Sequence, residues 1–427
     1  MTDDQRVGTY ATMPTLRHQI IARGRTYRGV APTSICCPVR TSLFSGNFSH
    51  TTRIYTNVRS RHGGWYWFHR TGQERHTLAR ALHRHGYRTG LFGKYLNGWG
   101  TGRAGYVPPG WDVFRGMQED DLCGEYYDYW IKGTGSDRWY GTSPQDYSTD
   151  VTSRLAARFV RGTPSTTPFF VVWAPRAPHL PATPAPRDVG SWSASSPYQN
   201  RAVNERNMTD KPRMFQALPP MDPQTLAWIR DQSMESLRAV DDGLGRLLAA
   251  IDPRRLSNTI VIYTSDQGYL WGEHRMATKY VPYKWATDYP LIVRWDGHVS
   301  HGSSRQLVPT VDITAAILRA TDASIRRGID GRSFLTSPRH RVVLEGVGSP
   351  LENTDGRFGH PGYCGVRTRR YMYVDWSGRV RAELYDYRSD PLELRNRAGV
   401  AWYHDVQVRL HRWAVHMCNP PPPRFHW

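Results

Sequence analysis

The sequence predicts an α/β fold: a large mixed, mostly parallel sheet between helices, followed by a small antiparallel sheet with one helix. Three observations carry that prediction. Over the first three quarters of the chain, short apolar runs with strand composition alternate with segments of helical spacing. From about residue 340 the pattern shifts to short strands in succession. And 427 residues suffice for one large and one smaller domain.

Taken in order, Met13, Leu16, Ile20 and Ile21 mark a helix ended by Gly24. The stretch SICCPVRTSLFSG (34–46) reads as a helix start. Pro38 fits the first turn, Leu43 and Phe44 form a short apolar face, and Gly46 stops it. Leu78, Ala81 and Leu82 mark a helix ended by Gly86, and YRTGLFGKY (87–95) is a strand after it. PFFVVW (168–173) is a buried strand by its aromatic and β-branched content. Met234, Leu237, Val240, Leu244, Leu247, Leu248 and Ile251 keep helical spacing ahead of a strand at 259–264, TIVIYT. PLIVRW (290–295) is a fourth strand. RVVLEGV, YMYVDW and AELYDY form the closing antiparallel sheet, with a helix near 401–417. The expected division is therefore 1–338 and 339–427. Residues 98–147 and 181–223 lack periodicity and read as long loops, whose aromatics stack on sugar rings or, more commonly, pack the loop onto the domain.

Composition excludes several classes. No apolar run is long enough to span a membrane, and MTDDQRVGTY is too polar to be a signal peptide. Five cysteines, at 36, 37, 123, 364 and 418, argue against a disulfide framework, and no Cys/His cluster suggests zinc. The formal charge of +19 comes from arginines spread along the chain without a dense block, so a solvated, Arg-rich surface is expected rather than nucleic-acid binding. Lysine is scarce, at 94, 132, 211, 279 and 284, which marks each as a candidate for a compact ammonium role.

In folds of this class the chemistry gathers beyond the carboxyl ends of strands. Lys94, His179 and Asp266 each follow a strand there. Cys36 and Cys37 sit at a helix N-terminus, where N–H groups and the helix dipole favour an anion, and Arg40 lies one turn in.

With these residues in hand, the chain resembles the sulfatase family. Cys36, Cys37, Pro38, Val39 and Arg40 fit C-x-P-x-R, and TSLFSG fits its extension. TDDQ, GKYLN, PPGWD, YSTDV, APRAPHLP, SDQGYLWGEH and ELYDYRSDPLELRN follow in family order. The branch it looks most like is N-acetylglucosamine-6-sulfatase.

That resemblance implies an alkaline-phosphatase-like sandwich and hydrolysis of a sulfuric ester, with a sulfated carbohydrate or aryl sulfate as substrate. It implies that a formylglycine-generating enzyme converts Cys36 to formylglycine, whose hydrate attacks sulfur and then releases sulfate. Asp3, Asp4, Asp266 and Gln267, with residue 36 in its converted form, are implied ligands of one divalent cation, and all-oxygen donors suit Ca2+. Gln267 stands where the family usually has asparagine. Lys94 and Lys279 match lysines on the sulfate or the leaving oxygen. His179 matches a general-acid candidate. Asn97 and His274 match substrate contacts. Sulfatases also carry an apolar strand ahead of TDDQ and are mostly exported. Here TDDQ follows Met1 directly, so a start further upstream is expected, or else Asp3 and Asp4 on a mobile terminus. Two other readings stay open: a phosphonate or phosphate ester hydrolase using the same nucleophile, and an inactive polyanion-binding protein of the same fold.

Overall fold

The structure is a computed structural model that describes residues 1–101, 105–119, 126–192, 200–349 and 359–427. Two sheets stand edge to edge as a central wall. The first holds β1 (Arg25–Val30), β7 (Val261–Thr264), β8 (Asp288–Arg294) and β9 (Gly302–Pro309) in the order β7-β8-β1-β9. The second holds β2 (Arg88–Gly93), β3 (Val113–Met117), β4 (Tyr129–Gly133), β5 (Arg138–Tyr140) and β6 (Phe169–Ala174) in the order β5-β4-β3-β2-β6. Strand pairs β1/β9, β2/β3 and β2/β6 are parallel; β1/β8, β7/β8, β3/β4 and β4/β5 are antiparallel. The wall is thus mixed, as expected, with parallel pairs in both of its sheets. The loop after β7 returns at the same end of the sheet, so β8 must run back against both neighbours.

The edges β6 and β7 face each other, and the start of the chain joins them at their carboxyl ends. Thr2 N–H donates to Thr264 O at 2.8 Å, Asp266 N–H to Thr2 O at 3.3 Å, and the Met1 α-amine to Trp173 O at 2.8 Å. Asp3 and Asp4 are consequently buried and fixed, which corrects the expectation of a mobile terminus. Below this tie the two edges diverge around a cavity of about 680 Å³, lined by Phe169, Val171 and Ile262 of the strands and by Phe44, Leu244 and Ile317 of helices above and below.

Helices cover both faces. On one, α3 (Ser148–Arg161) and α4 (Pro223–Leu248) bury Ala156, Phe159, Leu237, Val240 and Leu244 against Phe92, Tyr263 and Ile292. The start of α4 is legible locally, with Asp222 accepting from Thr225 N–H and Pro223 in the first turn. On the other, α1 (Cys36–Ser45), α2 (Leu78–Arg84) and α5 (Thr310–Thr321) pack Val39, Leu43, Leu78, Leu82, Ile313 and Leu318 inward. The expected helix at 13–21 is a short π-helical segment, Leu16–Ile21, with Asp241 accepting from the N–H groups of Thr15 and Leu16 at 2.7 Å each.

At the C-terminal end, β10 (Arg341–Gly346), β11 (Tyr363–Thr368), β12 (Tyr371–Trp376) and β13 (Glu383–Asp386) form an antiparallel sheet in sequence order. Helix α6 (His404–Met417) lays Leu410 and Ala414 on Val366, Tyr373 and Leu384. A disulfide joins Cys364 on β11 to Cys418 just past α6, with Cα atoms 6.1 Å apart. The described residues hold this one bridge, with Cys36 and Cys37 free; Cys123 lies outside the described residues. No described helix is long and apolar enough to cross a membrane.

Candidate active site

Cys36 opens α1, and everything around it comes from the carboxyl ends of the wall. Ile35 is extended (φ −139°, ψ 133°) and caps nothing with its side chain, so the first N–H groups need other partners. Cys37 N–H finds Asn57 Oδ1 at 2.9 Å, so this N–H is not free for an anion, as the sequence reading had it. The Cys36 sulfur lies 3.1 Å from Lys279 Nζ, 3.1 Å from Gln267 Nε2 and 3.6 Å from Asp3 Oδ1. Burial pushes its thiol up to about 11, against the opposing pull of Lys279 and Lys94. As a thiol it is a poor nucleophile near neutrality.

Three buried carboxylates meet beside it. Oxygens of Asp3, Asp4 and Asp266 lie within 4.8 Å of one another. Asp3 comes from the segment tied to β7, Asp266 from two residues past the end of β7, and Asp4 from a left-handed turn (φ 61°) that a residue with Cβ adopts only when its surroundings hold it. Asp4 N–H donates to Asp266 Oδ1 at 3.0 Å, which locks the turn. Burial raises the Asp266 carboxyl to about 6, with the Asp3 charge as the next cause. Burial alone would raise Asp3 too, but Lys94, His179, Arg40 and Lys279 hold it well below the ordinary range.

The cations are equally fixed. Lys94 Nζ bonds Asp3 Oδ2, and Lys279 Nζ bonds Asp4 Oδ2 at 2.6 Å. Burial disfavours both ammonium groups, yet Asp3 raises Lys94 and Asp4 raises Lys279, so both stay charged. Of the other lysines, Lys132 and Lys284 donate to backbone carbonyls and Lys211 to Glu205 and Asp210. Arg40 Nε donates to Asp266 Oδ2 at 2.9 Å and its Nη1 to Lys94 O at 3.1 Å. These two bonds tie the carboxylate and the Lys94 backbone to α1. His179 donates from Nδ1 to Leu180 O at 2.7 Å, which turns Nε2 to within 3.7 Å of Asp4 Oδ2.

A divalent cation fits this donor set. Gln267 Oε1 is buried and has no hydrogen-bond partner, while Nε2 of the same amide donates to Asp4 Oδ1 at 2.6 Å. Half a turn about the amide exchanges the two without moving a heavy-atom position and brings an oxygen in among three carboxylates. Such crowded negative oxygens are what a hard cation neutralises.

Two sequence expectations fare differently. His274 is buried, with Nδ1 2.6 Å from Glu205 Oε2 and Nε2 3.9 Å from Glu393 Oε2. Its ring packs against Tyr283, with centroids 4.5 Å apart, between the loop after β7 and the C-terminal segment that carries Glu393. Asn97 follows Lys94 in the loop after β2; its backbone O accepts from Trp65 N–H at 2.8 Å and its Oδ1 is buried without a partner. Residues missed in sequence include Arg176, whose Nη1 lies 2.8 Å from Glu119 Oε2 and 3.9 Å from Asp3 Oδ2. It stands in the APRAPH stretch that drew attention to His179. Asn57, twenty residues from the helix it caps, has no local signal.

The sheet wall between two helical layers, with its site at the carboxyl ends, has the alkaline-phosphatase-like architecture. The family model described as Sulfatase matches residues 5–323, and the chain belongs to that family. It is 28% identical over 344 residues to an N-acetylglucosamine-6-sulfatase of Bos taurus, covering 78% of this chain and 61% of that one. The chain thus spans about three fifths of that relative's length. Among solved structures it is similar, at a TM-score of 0.79 and 21% identity, to one in complex with its substrate D-glucosamine-2-N,6-O-disulfate, covering 99% and 98% of the two chains. It is also similar to a phosphonate monoester hydrolase from Silicibacter pomeroyi, at a TM-score of 0.72 and 19% identity, covering 99% and 95%.

Proposed function

We propose that this chain hydrolyses a sulfuric ester of a sugar, using formylglycine made from Cys36 by a formylglycine-generating enzyme, beside a Ca2+ ion held by Asp3, Asp4, Asp266 and Gln267. One observation carries this reading: the Cys36 sulfur, three buried carboxylates and two lysines converge at the start of α1. The sulfur stands in for the hydroxyl oxygens of a hydrated formylglycine. The cation, when bound, supplies the charge that favours an ionised hydroxyl and polarises sulfate oxygens.

The chain's own residues do the rest. Lys94 and Lys279 flank residue 36 as compact cations and bind the ester's sulfonyl oxygens as negative charge grows on them. His179, oriented through Nδ1, presents Nε2 to protonate the departing sugar oxygen. Arg40 keeps Asp266 aimed at the centre. The name of the Bos taurus relative and the sugar disulfate bound in the structural neighbour support a 6-sulfated amino sugar, and the charge of +19 suits a polyanion such as a glycosaminoglycan.

The likeness to the phosphonate monoester hydrolase favours a second reading, cleavage of a phosphonate or phosphate ester by the same nucleophile. Matured protein assayed side by side on an aryl sulfate and an aryl phosphonate separates them. Sulfate turnover dominates on the first reading and is lost with EDTA; dominant phosphonate turnover overturns it.

A further inference from the structure

A second buried ion pair lies just outside the constellation. Arg6 Nη2 donates to Glu273 Oε1 at 2.6 Å, with both side chains almost wholly buried. The guanidinium lies over two indoles, 5.0 Å from Trp271 and 5.6 Å from Trp285. Glu273 Oε2 accepts from Trp271 N–H at 2.7 Å, so both oxygens are used.

Its placement is what matters. Arg6 comes two residues after Asp4, the left-handed residue of the first loop. Glu273 comes one residue before His274 and Arg275, both left-handed (φ 52° and 62°), at the tip of the second loop. That second loop folds back on itself: Leu270 N–H donates to Thr278 O at 3.0 Å and Gly272 N–H to Met276 O at 2.9 Å. Asp266 and Gln267 precede its outgoing arm and Lys279 follows the returning one. At their base the two loops are tied by Gln5 N–H to Ser265 Oγ at 3.0 Å. Arg6–Glu273 ties the first loop to the tip of the second. Left-handed residues with side chains persist only where surroundings over-determine them, and this pair stands beside the turns of both loops.

We propose that Arg6 and Glu273 are a positioning pair for the cation site, holding the Asp4 turn and the Gln267–Lys279 loop in the arrangement that brings the three carboxylates together. This rests on the cation-dependent reading above. Neither residue touches the reacting atoms. Removing one partner leaves a buried unpaired charge, whereas replacing both by apolar groups does not. The double variant Arg6→Met/Glu273→Met therefore tests geometry without that cost, and Arg6→Lys keeps the charge.

The test is calorimetric titration with Ca2+, together with amide hydrogen exchange of the metal-free chain read by mass spectrometry. Ca2+ affinity falls by about tenfold or more in Arg6→Met and in the double variant, the usual effect of losing a group that orients metal ligands, and Arg6→Lys recovers most of it. Exchange speeds up by about tenfold in segments 2–9 and 268–279 of the double variant while β1 and β8 keep their protection. Ca2+ affinity within about twofold of the parent in the double variant, or unchanged exchange in both segments, overturns the proposal. Should the parent chain take up no Ca2+, the cation reading falls, and the exchange result alone decides whether the pair holds the two loops.

Discussion

Filling the cleft between β6 and β7 is the perturbation whose outcome follows most directly from the fold. The two edges face each other across about 680 Å³, and Met1 already makes the first rung, its amine bonding Trp173 O. A peptide extended backwards from Met1 runs parallel to both edges, because Thr2 pairs with Ser265 in parallel register. Five β-branched residues placed ahead of Met1 span the five positions from Phe169 to Trp173 at about 3.3 Å each. Burying five such side chains stabilises by about 2 kcal/mol each. Ordering them costs about as much in backbone and side-chain entropy. Ladder hydrogen bonds on two sides contribute about 0.5 kcal/mol apiece, close to 5 kcal/mol in all. The extension also replaces the buried Met1 amine, which burial and then Arg40 lower to about 5. Keeping that amine neutral at pH 7 costs about 1 kcal/mol, and an amide there costs nothing of the kind. The net gain is about 5 kcal/mol, or a melting temperature roughly 5–10 °C higher. Differential scanning calorimetry of the parent, the extended chain and a chain carrying a five-residue Gly/Ser extension reads it. Equal melting temperatures for the apolar and Gly/Ser extensions would refute the reasoning.

Two further outcomes follow from the structure. Burial would lower the His274 imidazolium, but its bonds to Glu205 and then Glu393 hold it above the ordinary histidine value. A group raised in the folded state stabilises fully below its unfolded value and loses that stabilisation as pH rises through the folded one. Urea denaturation should therefore show the parent losing stability relative to His274→Gln as pH rises above the ordinary histidine value of about 6.5, and a pH-independent difference contradicts it. The Cys364–Cys418 bridge closes a separation of 54 residues, which by the loop-entropy relation stabilises by about 4 kcal/mol. Reduction, or Cys364→Ser with Cys418→Ser, should lower the urea midpoint accordingly and free α6 from β11 in hydrogen exchange; an unchanged midpoint argues against the bridge.

How much of this was legible before the structure depended on whether the signal was local. Helix α4 was, because six of its apolar positions, from Met234 to Leu248, repeat at helical spacing. Strand β1, RTYRGV, was not: two arginines break its apolar run, and only pairing with β8 and β9 makes it a strand. The antiparallel course of β8 follows from where a loop re-enters the sheet, which no residue pattern encodes. Cys36, Lys94, Asp266 and Lys279 were legible as motif residues, and the structure brings them to one point. His274 shares a motif with Asp266 but faces the other way, since a loop folded back on itself points adjacent residues to opposite sides. Asn57, Glu119 and the cysteine bridge act over distances that sequence spacing does not reveal.

The central claim concerns the side chain at position 36. Its most direct test is peptide mass spectrometry across residues 34–46 of protein co-expressed with the maturation enzyme, set against sulfate released from a sulfated amino sugar by the same preparations. The account predicts an aldehyde at residue 36 and turnover in proportion to the fraction that carries it. Sulfate release from protein whose Cys36 remains an intact thiol would contradict it.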